Sequence, residues 1–317
     1  MSGLSQDLGQ TGSACRWISF NKTPFLCKPE VDSMKTAFGY MLLSVLGFAM
    51  MNLMVKFLGR LPATELVLFR SMISLAITAY FLRKRHLSFF GNQKKYLILR
   101  GVFGVTALSL FFYTLQELPL GSAITIQYLS PIFTAFFAIF LLGEKMYRWQ
   151  WLFFLVSFGG IALIKGFDPN ITLPLFLMGL GSAVFAGLAY NCIRKVKDTD
   201  HPLTVVFYFP LIATPVMAVV SVFNWVSPQG WEWLYLLLMG IFTQVGQIYM
   251  TRALQSGEAN EIVAFKYLGI VLALGFDFLI FGISYQPMAL VGIGLVLSGV
   301  LLNVLYKARQ RKRIASG

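Results

Sequence analysis

Charged side chains lie within long apolar segments of this chain, where a charge is costly. Lys266 and Asp277 lie eleven residues apart in one such segment. In a helix, eleven residues turn through about 1100°, which is three turns and about 20°, so both side chains share one face about 16 Å apart. A charged face must point inward, away from lipid. Lys266 could bind a substrate carboxylate or phosphate, or it could be a structural cation held by helix carbonyls or tyrosine hydroxyls.

Arg70 is charged and lies in a different apolar segment from Asp277. Arg70 follows the start of its segment by six residues, and Asp277 precedes the end of its own by five, which places both about 7–9 Å below the same surface. The matched depth predicts that they could pair as an outer gate or coupling group. Alternatively, each has its own partner, or Arg70 extends its guanidinium to the surface.

Neutral polar side chains in the apolar segments form a second group of candidates. Tyr, Gln and Asn can hydrogen-bond a ligand without the desolvation cost of a charge. Gln244 and Gln247 are three residues apart and therefore share a helix face. Hydrogen bonds between helices are the alternative role for the whole group. We predict substrate-binding residues among Lys266, Tyr267, Tyr113, Tyr249, Gln127, Gln244, Gln247, Asn52 and Asn191.

The composition identifies the elements that must position these side chains. The 317 residues are 57% hydrophobic and only 12% charged, whereas soluble domains carry roughly 25% charged residues. Most of the surface must therefore face a lipid bilayer. The net charge of +13 does not predict nucleic-acid binding, because the basic residues lie in short loops beside apolar segments.

Apolar segments of about 20 residues are long enough to cross a bilayer as helices. The sequence predicts an all-α membrane protein with ten transmembrane helices and short loops. The predicted spans are 36–55, 64–82, 96–115, 120–142, 149–166, 172–193, 202–222, 231–251, 258–282 and 286–306.

Basic residues orient these spans. With the N-terminus inside, twenty of the 26 Lys and Arg lie at the inner ends of spans and three at the outer ends; the others are Arg70, Arg100 and Lys266. This bias predicts cytoplasmic termini in a multi-pass protein of the bacterial inner membrane. Residues 1–33 lack the apolar core of a signal peptide and are expected to be a polar tail or the product of an early start codon. Residues 307–317 are expected to form a basic cytoplasmic tail.

The second half of the chain repeats the first. Tyr113, Leu118, Gly121 and Ala123 align with Tyr249, Leu254, Gly257 and Ala259, at the point where one apolar segment ends and the next begins. Two five-helix units can rock against each other around a central site, as alternating access requires.

Local motifs add a resemblance to a known family. Residues Pro119–Ile164 contain Leu129-Ser130-Pro131 within a span, Gly143-Glu144 at its end and Gly159-Gly160 in the next span. This segment resembles the EamA repeat of the drug/metabolite transporter superfamily, and Arg70 in ELVLFRSM resembles the arginine of the family's second helix. A divergent second copy runs from Gly257 to Asn303, with Phe265-Lys266-Tyr267-Leu268 near the Leu-Ser-Pro position and Gly282-Ile283 in place of Gly-Glu. The resemblance implies two inverted five-helix EamA repeats, at 34–166 and 172–306.

The sequence thus predicts a secondary active transporter that moves a small metabolite by alternating access. Lys266 favours an anionic or zwitterionic substrate. The alternative is a cation or drug exporter coupled to protons through Asp277. An enzyme is not predicted, because the charged residues within the spans lie at two depths and form no cluster of acids, bases or metal ligands. No cofactor or metal is predicted, and no nucleotide-binding loop is present for ATP to drive transport. A homodimer is left open.

Overall fold

A computed structural model describes residues 30–143, 147–167, 171–196, 199–256 and 267–315. Every regular element in these ranges is a helix. The helices are α1 (Glu30–Phe57), α2 (Ala63–Lys84), α3 (Lys94–Glu117), α4 (Leu120–Gln127), α5 (Ser130–Leu142), α6 (Arg148–Phe167), α7 (Leu173–Val196), α8 (Pro202–Val222), α9 (Glu232–Ser256), α10 (Leu268–Leu279) and α11 (Pro287–Ala315).

The helices confirm the prediction of a membrane-spanning bundle. Within the described residues, nine segments are long and apolar enough to cross a bilayer, and α10 is a shorter apolar helix. The α4 and α5 helices together form the fourth span, Leu120–Leu142. The α10 helix forms the described part of the ninth, since residues 257–266 lie outside the described ranges. The protein is therefore an integral, multi-pass membrane protein.

Two helices extend beyond the predicted spans. The α1 helix begins at Glu30, within the predicted polar tail, and α11 continues through the predicted basic tail to Ala315. The segment from Lys307 to Ala315 contains Lys, Arg, Gln and Ala without Gly or Pro, and these residues favour helix. Hydropathy shows where the apolar part of a helix ends, but the helix itself can continue into water.

The fourth span is interrupted at its centre. The α4 helix ends at Gln127 and α5 begins at Ser130, with Pro131 in its first turn. Proline has no backbone N–H to donate into the preceding turn, so the helix breaks before it. Pro210 and Pro215 do not interrupt their helix, and α8 continues through both.

The packing of the helices has an approximate twofold pattern. The α1 helix packs on α9 as α7 packs on α3, and α2 packs on α9 as α8 packs on α3. The pairs α2–α8, α4–α10 and α6–α11 each join corresponding helices of the two halves. Because five spans precede the second half, that half runs in the opposite direction through the bundle. We call the end where α1 begins the near end and the opposite end the far end.

The backbones of α6 and α11 touch at a pair of glycines. A Cβ atom built on Gly160 would lie 2.6 Å from the carbonyl oxygen of Gly292, and the reverse distance is also 2.6 Å. We expect Gly160→Ala to force the helices apart and to lower the free energy of unfolding by about 1–3 kcal/mol, measured as a lower melting temperature in detergent. A Cβ on the adjacent Gly159 meets nothing within 4 Å, so Gly159→Ala is the matched control. Equal effects of the two substitutions would contradict this packing.

Candidate functional site

A strip of hydrogen-bonded polar side chains runs along the interface of α2 and α9. Arg70 donates from Nε to Thr243 Oγ1 at 3.0 Å. One turn further along α2, Ser74 donates to Gln244 Oε1 at 2.6 Å, and Gln244 Nε2 donates to Thr78 Oγ1 at 3.0 Å. All five side chains are buried. We call these residues the α2–α9 polar strip. The spacing of four residues between Arg70, Ser74 and Thr78 places them on one face of α2.

Two buried arginines meet at one aromatic ring of α8. The guanidinium carbons of Arg70 and of Arg100, from α3, lie 5.4 and 5.2 Å from the centroid of Phe209. Arg70 is 4% and Arg100 8% exposed, and the two like charges repel each other. One guanidinium nitrogen of Arg70 and Nε of Arg100 have no hydrogen-bond partner among the described residues. The ion pair found in those residues joins Arg60 to Glu232 and involves neither buried arginine.

The strip ends in a cavity at the near end of the bundle. The cavity has a volume of about 130 Å³ and lies between α2, α8 and α9. Ligand sites for metabolites usually occupy ~300 Å³ or more, so helices must separate before a metabolite can enter this one. The polar residues that line it are Thr78, Arg85, His201, Gln244 and Gln247.

Arg85 supplies the permanent positive charge at this cavity. His201 accepts a hydrogen bond at Nδ1 from the backbone N–H of Leu203 and so caps the start of α8. Burial lowers the pKa of His201 below its ordinary value, and the nearby charge of Arg85 lowers that pKa further. His201 is therefore neutral at pH 7 and remains a hydrogen-bond acceptor for the helix.

Asp277 lies at the far end, among other partners. Its carboxylate accepts hydrogen bonds from the backbone N–H groups of Leu120 and Gly121 at 3.0 and 2.7 Å, and from the Tyr285 hydroxyl at 2.6 Å. The predicted Arg70–Asp277 pair is thus not formed in this structure, because Arg70 is bonded to Thr243 and Asp277 to the start of α4. The alternative, in which each residue has its own partner, describes the structure.

Two of the predicted polar residues tie neighbouring helices together. Gln127 accepts a hydrogen bond at Oε1 from Ser182 of α7 at 2.6 Å. Asn191, also on α7, donates from Nδ2 to the carbonyl oxygen of Thr134 in α5 at 2.9 Å. These contacts agree with the alternative role of hydrogen bonds between helices.

The remaining candidates are distributed over the bundle. Tyr267 is buried, and its ring lies 5.3 Å from that of Tyr128 at the break between α4 and α5. Neither the Tyr267 hydroxyl nor Asn52 Oδ1 has a hydrogen-bond partner among the described residues. The Tyr249 ring lies 5.6 Å from the ring of Tyr40, and the two ring planes are tilted by 35°.

The structure does not place two of the candidates in the buried site. Tyr113 is 44% exposed on α3 and does not face the polar strip. Lys266 lies outside the described residues. Of the predicted set, the structure therefore brings together Arg70, Gln244 and Gln247.

Sequence reasoning missed Arg100 and Phe209 as members of this site. Arg100 lies four residues after the start of its predicted span, 96–115, and no local motif singles it out. Phe209 is one of 30 phenylalanines, and its sequence context does not distinguish it. The four-residue spacing of Arg70, Ser74 and Thr78 was a signal that could have revealed the strip.

Comparison with known families identifies the family to which the chain belongs. The family model described as "EamA-like transporter family" matches residues 35–166 and again residues 173–305. The chain belongs to this family. The match confirms the resemblance found in the local motifs, and it makes the protein a member of a family of transporters rather than enzymes.

Individual relatives of this EamA-like protein are transporters of different solutes. The pseudopaline exporter CntI of Pseudomonas aeruginosa is 32% identical over 286 residues, which cover 89% of this chain and 99% of that protein. Solute carrier family 35 member G1 of Homo sapiens is 32% identical over 76% of this chain and 71% of its own length. The S-adenosylmethionine uptake transporter of Rickettsia felis is 23% identical over 89% of this chain and 98% of its own length.

The fold is also known from solved structures. One crystal structure superposes with a TM-score of 0.61 and covers 88% of this chain and 99% of its own. At 19% sequence identity, this likeness shows the fold alone. The family match and the relatives show small-molecule transport as the activity of this protein.

Proposed function

We propose that this EamA-like transporter is a secondary active carrier of a small anionic or zwitterionic metabolite and works by alternating access. The observation that supports the substrate class is the pair of buried arginines at Phe209, for which the described residues supply no carboxylate. A positive charge without a counter-charge in a membrane protein is expensive and usually marks a functional site. A carboxylate or phosphate of the substrate would supply the counter-charge.

The geometry around the arginines suits a bound acid. Unused N–H groups of Arg70 and Arg100 can donate to the oxygens of one anion, and charge-assisted hydrogen bonds of this kind are the strong ones. The Phe209 ring and the neighbouring Phe112, 5.8 Å from the Arg70 guanidinium carbon, offer an apolar wall for the rest of the molecule. The site would then hold a charged head and a less polar body.

The polar strip connects this centre to the near end. Gln244 belongs both to the strip and to the lining of the near-end cavity, so a polar route leads from Arg85 to Arg70. We infer that this route is the half-channel through which the substrate reaches the arginines. The opposite half-channel would form when the two inverted repeats rock against each other and the far end opens.

The near end is proposed to be the cytoplasmic end. It carries many basic residues, including Arg83 and Lys84 in the last turn of α2, Arg85 directly after it, and Arg194 and Lys195 in the last turn of α7. Cytoplasmic loops are enriched in Lys and Arg. We therefore place both termini in the cytoplasm of a bacterium, with the protein in the inner membrane. The same cavity would be the loading site of an exporter or the release site of an importer.

Uptake by purified protein in liposomes tests the proposal. The panel should include S-adenosylmethionine and pseudopaline, which the relatives' names suggest, together with dicarboxylates, amino acids and organic cations, each with and without a pH gradient. We expect saturable transport of a compound that carries a carboxylate or phosphate, inhibited by other acids and not by organic cations. Transport of organic cations alone would contradict the anionic preference.

A further inference from the structure

We propose that Asp277 is a positioning residue that latches the far end of the transporter shut. Its carboxylate holds α10, from the second repeat, against the N-terminus of α4, from the first. The inference rests on the proposed alternating access, in which the far end must open once in each cycle. The carboxylate is 0% exposed and accepts hydrogen bonds from two backbone N–H groups of α4, so opening the far end at α10 requires these two bonds to break.

The contact is strong because α4 presents two unused donors. The first N–H groups of a helix have no partner within the helix, and the helix dipole adds positive charge there. Leu120 and Gly121 are the first two residues of α4, and each donates to a different oxygen of Asp277. A buried carboxylate between such donors is held by charge-assisted hydrogen bonds.

Tyr285 provides the third donor from the loop between α10 and α11. Burial raises the pKa of the Tyr285 phenol far above its ordinary value, and the negative charge of Asp277 raises that pKa further. The phenol therefore stays protonated throughout the physiological pH range, and its O–H donates a hydrogen bond to Asp277. Tyr285 belongs to the same repeat as Asp277 and orients the carboxylate, and it also hydrogen-bonds with Ser122 of α4, so it joins the two repeats as well.

The start of α4, which Asp277 contacts, is also held in place by α1. Lys56, at the far end of α1, donates from Nζ to the carbonyl oxygens of Gln116 and Leu118, both at 2.8 Å. These bonds hold the connection that leads into α4. The start of α4 is thus anchored to the first repeat, so motion of α10 with the second repeat would break the bonds to Asp277.

The repeats have other contacts at the far end, among them the hydrogen bond from the Val226 backbone N–H to the buried carboxylate of Glu65. Arg60 pairs with Glu232, but the Arg60 side chain is 44% exposed, and exposed pairs contribute little. At the near end, Asp200 makes a similar contact, in which its carboxylate accepts from the backbone N–H groups of Asn92 and Gln93. Asp200 therefore offers a control of matching chemistry at the opposite end.

A cysteine reporter for the far end can be placed beneath the latch. Ala273 is 1% exposed and lies one turn before Asp277 on the buried face of α10. In full-length protein whose three native cysteines are replaced by serine, Ala273→Cys should react slowly with a charged maleimide. Addition of Asp277→Asn should raise that rate about tenfold, because loss of a charge-assisted hydrogen bond shifts a two-state equilibrium by this order. Asp200→Asn, at the opposite end, should not raise the rate.

A second reporter separates far-end opening from general loosening. Val206 lines the near-end cavity, and Val206→Cys should react more slowly when Asp277→Asn is added, because opening of one end closes the other. Faster reaction at both reporters would mean local unfolding and would overturn the proposal. If Asp277→Asn fails to fold, Tyr285→Phe is the variant that tests the latch. It keeps the carboxylate and should raise the labelling rate of Ala273→Cys about threefold. An unchanged rate in Tyr285→Phe would then overturn the latch.

None of these labelling rates depends on a substrate. Far-end opening in Asp277→Asn protein that transports no anion would leave the latch standing and contradict only the proposed substrate class. Transport of an anion together with unchanged labelling would support the proposed substrate class and contradict the latch.

Discussion

Arg70→Met should strongly impair transport of an anionic substrate, with a loss of about 100-fold in rate, while the melting temperature stays at or above that of the wild type. Loss of one member of a buried charge pair costs about 2–5 kcal/mol of binding, a range that includes the ~2.7 kcal/mol of a 100-fold change. Stability should not fall, because methionine fills a similar volume and removes a buried charge that has no described counter-charge. A lower transport rate without a lower melting temperature distinguishes an arginine that binds substrate from one that stabilises the fold.

Uptake into liposomes and melting in detergent are the two measurements for this prediction. Arg60→Met is the matched control, since Arg60 is an exposed arginine in an ion pair, and its loss should change the rate little. Arg70→Lys should recover only part of the activity, because an ammonium does not reproduce the planar fork of a guanidinium. A lower melting temperature with an unchanged uptake rate would show that Arg70 serves the fold alone.

Arg100 should act together with Arg70. If both arginines bind one anion, Arg100→Met should also abolish uptake, and the double variant should be no worse than either single variant. Losses that simply add would indicate two independent sites and would contradict the shared site at Phe209.

Lys266→Met is expected to have the second large effect, a loss of anion binding of more than about tenfold with the fold and membrane level preserved. The reason comes from the sequence: a lone ammonium eight residues into the ninth predicted span is expected near the membrane midplane, where transporter sites form. No carboxylate lies one turn away from it in the sequence. Lys266→Arg should bind weakly, since a planar fork does not replace a point charge.

Binding of the identified substrate, measured by calorimetry or by uptake, checks this prediction. Lys165→Met is the control, because Lys165 is also a lysine within a span but lies over the Phe176 ring at the far end. Uptake at the wild-type rate in Lys266→Met protein would make Lys266 structural. The anion preference would then depend on Arg70 and Arg100.

The amino-acid sequence was sufficient to predict the membrane-spanning architecture. A span must bury about 20 apolar residues in lipid whatever its neighbours are, so hydropathy located the spans to within a few residues. The interruption of the fourth span follows from Pro131, because a missing backbone donor acts locally. The duplicated motifs predicted two EamA repeats, and the family model matches the chain twice, at residues 35–166 and 173–305.

Only the tertiary structure decided which polar side chains meet. Counting residues gives the depth of a side chain along its helix but not which neighbouring helix it faces. Arg70 and Asp277 have similar depths, yet Arg70 contacts Thr243, 173 residues away, and Asp277 contacts Leu120, 157 residues away. Those partners follow from how α2 packs on α9 and α4 on α10. Such packing depends on the shapes of whole helices, including glycines where backbones touch, and a local sequence pattern does not contain it.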